Sequence, residues 1–221
     1  MKLALNALIK FLLGLVFVGL LLFLPAGSFR YLGAWLFIAL LFLPMLVVGA
    51  VLLLRAPKLL EKRLNAKEKE SSQASIVAAS GFFFLVGFIV AGLDYRFGWS
   101  SVPTWLTIVC SIILITSYAL YAEVMRENEY LSRTIEVQAD QKVIDTGLYG
   151  IVRHPMYAVT VLMFLSIPIV LGSFWAFLCF LPYVVLIVMR LQGEEKLLEK
   201  ELSGYSDYKK RVKYRLFPLV W

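Results

Sequence analysis

Apolar residues run along this chain in long, nearly uncharged blocks, not in the short periods that mark half-buried elements. Six blocks stand out, at 8–24, 31–54, 75–93, 103–122, 156–171 and 173–190. A helix needs roughly 17–25 residues to cross the hydrocarbon core of a bilayer. The first four blocks predict spanning helices on that count. The last two are short and are separated only by Gly172 and Ser173. They predict a tight helical hairpin, with Pro168 bending its first arm because proline removes a backbone hydrogen bond. The expected fold is therefore an all-α integral membrane protein of five to six transmembrane helices.

Composition agrees with that class. The 221 residues are 61% hydrophobic and 17% charged, with a mean hydropathy of +0.81. The first block lacks a small-residue cleavage site and is followed at once by further spans, so it reads as a span and not as a leader. Cys110 and Cys179 both fall inside apolar blocks, where thiols act as small hydrophobes. The formal charge is +7, and its placement matters more than its size. With the N-terminus in the cytoplasm and six crossings, 20 of the 22 Lys and Arg fall on the cytoplasmic side, leaving only Arg30 and Arg96 outside. Such a bias predicts cytoplasmic termini. Anionic lipid headgroups account for the positive charge, and no basic module interleaved with aromatics points to nucleic acid. The segment 55–75, with Arg55, Lys58, Lys62, Arg63, Lys67 and Lys69 among Glu61, Glu68 and Glu70, reads as a solvated helical extension at the membrane surface.

The chain then divides by content. Residues 1–122 form a membrane scaffold, and 123–221 carry the polar equipment. Ile135 to Gly147 is rich in β-branched residues and ends at a glycine, which predicts an extended segment running into a tight turn. Arg153-His154-Pro155-Met156-Tyr157 follows and holds the only histidine. Pro155 suits the first position of a helix, which would set His154 at a helix N-terminus where backbone N–H groups favour anions. A lone His without a second His or Cys nearby makes no metal site. Interfacial Arg and Tyr also anchor helices at headgroups, so Arg153 and Tyr157 fit that ordinary role equally well. Arg190 and Glu194 share a helix face at i,i+4. As an exposed ion pair they would contribute about 0.3–0.5 kcal/mol; facing His154 across the hairpin mouth they offer a cation and a carboxylate to two ligands. The basic, aromatic tail from Gly204 to Pro218 predicts either a membrane-surface helix or a strap folding back over 134–150, and the two are compatible.

In this order the pieces resemble the isoprenylcysteine carboxyl methyltransferase family and its phospholipid methyltransferase relatives. The resemblance covers roughly 134–218. It rests on Gly147 and Tyr149, on Arg153-His154-Pro155-Met156-Tyr157, on the hydrophobic hairpin, on Arg190 with Glu194-Glu195, and on Tyr205, Tyr208 and Pro218 in the tail. It departs at Val159, where prenyl-protein members often carry Gly. The resemblance implies S-adenosylmethionine held in a cytosolic pocket by Gln138, Gln141, Lys142, Val143, Ile144, Tyr149, His154, Pro155, Met156, Tyr157, Glu194 and Glu195. It assigns Arg190 and Glu194 as catalytic residues, with Arg190 also facing the substrate carboxylate. The implied acceptor is lipophilic or lipidated and surrounded by membrane lipids. Prenylcysteine carboxylate, a phospholipid amine and a small thiol all fit the chemistry, and Arg190 tilts the choice toward a carboxylate.

Two other classes share parts of this pattern. Membrane sterol reductases use NADPH and carry Arg-His-Pro-x-Tyr, but follow the hairpin with Arg-Asp-Glu where this chain has Gly193-Glu194-Glu195. A transporter or scaffold would need polar groups deep within its spans, and these blocks hold almost none. No stripe of small residues defines a dimer face.

Overall fold

A computed structural model describes residues 2–64, 71–131, 135, 137, 138 and 140–221, with the side chains of Ser71 and Ser72 left aside. The protein is an all-helical, multi-pass membrane bundle, without a strand among the described residues. The described residues form eight α-helices in chain order: α1 (Lys2–Ala26), α2 (Leu32–Arg55), α3 (Pro57–Leu64), α4 (Ser71–Phe97), α5 (Thr104–Glu127), α6 (Pro155–Val170), α7 (Phe174–Glu201) and α8 (Tyr205–Arg211). Among the described residues five are long and apolar enough to span, namely α1, α2, α4, α5 and α7. The six predicted blocks lie within α1, α2, α4, α5, α6 and α7 in turn, apart from a residue at either end.

The fifth block becomes α6. Its 16 residues extend only about 24 Å at 1.5 Å per residue, short of a ~30 Å core. Eleven of those residues are buried. A helix shielded by α5 and α7 on either side does not have to match the bilayer thickness itself. Val159, the departure noted above, is one of these buried residues and packs in the main core with Leu114, Met163 and Phe180.

The closed end of the α6–α7 hairpin is fixed by polar side chains. Ser173 caps α7 by accepting from the Ala176 N–H, and its hydroxyl donates to Asp94 Oδ2 at 2.5 Å. Asp94 is 1% exposed and also accepts from the Ser100 N–H at 2.7 Å and the Ser100 hydroxyl at 2.6 Å. Tyr31 donates to the Leu171 carbonyl at 2.6 Å. Three interhelical turns are thereby tied together, and every polar group buried there has a partner, as low-dielectric burial requires.

The segment 55–75 is not simply a solvated face. α3 buries Leu59 and Leu60, and Leu59 packs with Val124, Met125, Leu131 and Tyr149. Pro57 starts this short helix and the apolar stripe docks it onto the bundle, so its charges are divided between two faces. Lys67, Glu68, Lys69 and Glu70 lie outside the described residues.

Candidate active site

A cavity of about 1220 Å³ opens at the mouth of the α6–α7 hairpin. At its polar end stand His154, Tyr157, Arg190, Glu194 and Tyr205, and its other end is an apolar slot between α1, α2 and α4, lined by residues such as Phe11, Met45, Val48 and Val77. Glu194 is the single carboxylate among its described lining residues.

The polar end is built from the motif outward. Pro155 begins α6 and His154 is its N-cap residue, as the sequence predicts. Arg153 is not a headgroup anchor: it is 6% exposed. Its Nε donates to Glu195 Oε1 at 2.7 Å, and its Nη1 donates to the carbonyls of Val212 and Lys213, both at 2.8 Å. Arg215 donates from Nε to Glu195 Oε2 at 3.0 Å and lies over the Trp221 ring at 4.7 Å. The backbone N–H groups of Arg153 and His154 donate to the carbonyls of Tyr214 and Arg215, both at 2.9 Å. The tail thus folds back across the motif, and two guanidinium groups lock one carboxylate beneath it.

His154 completes this clamp. Its Nε2 sits 3.2 Å from Glu195 Oε1 and 3.5 Å from the Tyr205 hydroxyl. An ionised carboxylate only accepts, so Nε2 carries the proton. Glu195 lies beyond the apolar stretch of α7: about 20 residues of helix from Phe174 fill a ~30 Å core. Burial pushes its carboxyl upward, but hydrogen bonds and charge from His154 and Arg153 outweigh this and hold it at about 2. Glu194, one residue earlier, points the other way. Tyr157 donates to its Oε2 at 2.6 Å.

The loop before the motif forms no strand among its described residues, yet it is not helical there and enters the expected turn at Gly147 from an extended Thr146 at φ −97°, ψ 168°. Side chains serve its backbone. The Gln138 N–H donates to Gln141 Oε1 at 2.9 Å, and Gln138 Nε2 donates to the Tyr130 carbonyl at 2.6 Å. Glu136 and Ala139 lie outside the described residues. Gly147 adopts φ +50°, and a side chain there would collide with Glu127, which accepts from the Leu148 N–H at 3.1 Å. Asn128 then donates to the Tyr149 hydroxyl at 2.9 Å, and the Tyr208 hydroxyl donates to the Tyr149 carbonyl at 2.7 Å. Burial pushes the phenols of Tyr149, Tyr205 and Tyr208 well above their ordinary value, so all three remain protonated donors.

Of the residues predicted for the site, Gln141, Lys142, Val143 and Ile144 line the cavity from the loop. Tyr149, His154, Met156 and Tyr157 line it from the motif, and Arg190 and Glu194 from α7. Gln138, Pro155 and Glu195 stand behind that lining. Gln138 accepts from Lys62 Nζ at 2.5 Å, Pro155 is buried at the start of α6, and Glu195 belongs to the clamp. Sequence reasoning missed α3. Leu60, Arg63 and Leu64 all line the cavity, and their i, i+3, i+4 spacing sets them on one inward face barely more than a turn long. It also missed Gly193, where a Cβ would lie 2.2 Å from Gln73 Nε2. The missing side chain lets α4 press against α7 next to Glu194.

Residues 102–204 match the family described as phospholipid methyltransferase. Delta(14)-sterol reductase TM7SF2 of Mus musculus is 32% identical over 91 residues, which is 40% of this chain and 22% of that relative. The chain therefore spans about a fifth of the length of that curated relative. A solved structure of the eukaryotic intramembrane Ras methyltransferase ICMT (isoprenylcysteine carboxyl methyltransferase) covers 89% of this chain and 72% of its own, at 18% identity and a TM-score of 0.48.

Proposed function

We propose that the chain, whose residues 102–204 match the family described as phospholipid methyltransferase, is an S-adenosylmethionine-dependent membrane methyltransferase. Its acceptor is the carboxylate of a prenylcysteine-like or other lipophilic molecule, and its site opens on the cytoplasmic side. The observation that carries this reading is the continuity of the cavity, which joins a polar mouth at Glu194 to an apolar slot between α1, α2 and α4. Its volume exceeds the ~300–1,000 Å³ of ordinary ligand pockets, which leaves room for a second, apolar ligand.

The residues present fit the cofactor. Glu194, held by Tyr157, offers a carboxylate to a cationic group, while Lys142, Gln141 and the aromatic ring of Tyr149 offer a cation, an amide and a flat face. Bound there, S-adenosylmethionine would supply an electrophilic methyl group, whose transfer to a carboxylate oxygen forms a C–O bond as the C–S bond breaks and leaves a neutral thioether. The chain's own work is orientation and exclusion of water, for which proximity contributes about 7–11 kcal/mol. A carboxylate acceptor gives up no proton. An ammonium acceptor has to lose one before it can attack. Arg190 can pair with an acceptor carboxylate in bidentate fashion.

The test uses purified protein in detergent or nanodiscs. Titration with S-adenosylmethionine should saturate, His154→Ala and Glu194→Ala should weaken it, and NADPH should not bind. Methyl transfer is then compared across prenylcysteine carboxylates, lipid amines and small thiols. Binding of NADPH in place of S-adenosylmethionine would replace this reading with a reductase.

A further inference from the structure

Lys62 lies outside the hairpin, the motif and the tail, on the short helix that joins α2 to α4. That helix is itself anchored on two sides. Leu59 packs with Val124, Met125, Leu131 and Tyr149. Lys10 of α1 donates from Nζ to the Leu64 carbonyl at 2.7 Å, which places a cation on the helix C-terminus. Leu60 and Leu64 line the cavity, while Lys62 reaches the loop before the motif. Its Nζ donates to Gln138 Oε1 at 2.5 Å and, at the longer distance of 3.4 Å, to the Glu129 carbonyl.

The Gln138 amide is gripped from its other side too, since its Nε2 donates to the Tyr130 carbonyl at 2.6 Å. A cation on the oxygen and a carbonyl on the nitrogen leave that amide one orientation, and the charge-assisted bond is the stronger of the two. Gln138 in turn holds Gln141. The Gln138 N–H donates to Gln141 Oε1 at 2.9 Å, and the Gln141 N–H donates back to the Gln138 carbonyl at 3.1 Å. Within this turn Asp140 sits at φ +59°, a left-handed conformation that a non-glycine residue keeps only where its surroundings fix it. Gln141 and Lys142 then line the cavity. A relay of hydrogen bonds therefore runs from α3 through Gln138 to the cavity wall.

We propose that Lys62 is a positioning residue: through Gln138 it sets the turn that presents Gln141 and Lys142 to S-adenosylmethionine. The proposal rests on the methyltransferase reading above and adds a positioning residue supplied by the scaffold half of the chain. It gives Gln138, which stands behind the cavity lining, a part in cofactor binding through Gln141.

The experiment compares wild type, Lys62→Met, Lys62→Arg, Gln138→Leu and the double variant Lys62→Met with Gln138→Leu, all as full chains in nanodiscs. Hydrogen exchange of the ligand-free proteins is the first readout. The Gln138 and Gln141 amides should exchange at least fivefold faster in Lys62→Met, while the Leu148 amide, bonded to Glu127, should not change. Titration with S-adenosylmethionine is the second. Lys62→Met and Gln138→Leu should each weaken binding at least fivefold, the double variant should be no weaker than the worse single one, and Lys62→Arg should keep most of the affinity. Binding of an S-prenylcysteine carboxylate, measured without cofactor, should stay within twofold of wild type, and melting temperature reports that each variant folds. Unchanged S-adenosylmethionine affinity in Lys62→Met overturns the proposal. So do losses that multiply in the double variant, or an equal loss of acceptor affinity. Failure of wild type to bind S-adenosylmethionine overturns the methyltransferase reading instead, and hydrogen exchange then still decides whether Lys62 orders the turn.

Discussion

The α6–α7 hairpin is knotted at both ends around a buried carboxylate, and the two knots differ in what lies beside them. At the closed end Asp94 is gripped by Ser100 and Ser173, and it lines no part of the cavity. At the mouth Glu195 is gripped by Arg153, His154 and Arg215, while Glu194 turns into the cavity and accepts from Tyr157. Burial and full pairing therefore describe structural carboxylates at both ends. The acid that lines the cavity is its neighbour, Glu194. Glu195 uses both oxygens on Arg153, His154 and Arg215, whereas Glu194 accepts from Tyr157 and faces the cavity.

That contrast can be broken by mutation. The largest loss of stability is expected from Glu195→Ala, which leaves Arg153 buried without its counter-ion; removing one partner of a buried pair costs about 3–5 kcal/mol, read as a lowered unfolding midpoint in detergent. The same clamp sets an acid limit. Glu195 has its folded value near 2, below an ordinary glutamate at about 4.3. Its contribution should be complete above pH ~4.3 and fade as pH falls toward 2, and Glu195→Gln should lose that part of the acid dependence. Asp94→Ala should cost about 2–3 kcal/mol, since hydrogen bonds to a buried charge are the strong ones. Unlike the mouth variants, it should leave ligand binding per folded molecule unchanged; a parallel loss of binding would erase the distinction between the two ends. Ser173→Ala, which removes both a helix cap and one bond to Asp94, should cost about 1–2 kcal/mol. Tyr208→Phe should cost about 1 kcal/mol by deleting the strap's bond to the Tyr149 carbonyl, and should speed proteolysis of the loop around 141–146.

The bundle was legible because a long uncharged block has only one stable form in a bilayer. The block 31–54 became α2 (Leu32–Arg55) for that reason, and the start of α6 at Pro155 followed from proline chemistry. The division of labour between Glu194 and Glu195 was not legible. Adjacent residues on a helix point about 100° apart, and which one meets a cavity depends on how α4 packs against Gly193. Arg153 read as an interfacial anchor because its partners lie 42 residues away at Glu195 and about 60 away in the tail. The segment before Gly147 was legible as non-helical and ending in a turn, though β-branched residues form a strand only where an edge pairs with them, and none forms among the described residues. α3 was hidden by its charges: the inward stripe of Leu60, Arg63 and Leu64 covers too few turns to stand out.

The central claim is that Glu194 meets the ligand while Glu195 holds the fold. Isothermal titration of purified protein with S-adenosylmethionine, wild type beside Glu194→Gln, tests it most directly. The account predicts saturable binding to wild type and at least tenfold weaker binding to Glu194→Gln, with the unfolding midpoint little changed. Equal affinity in the two proteins would contradict it.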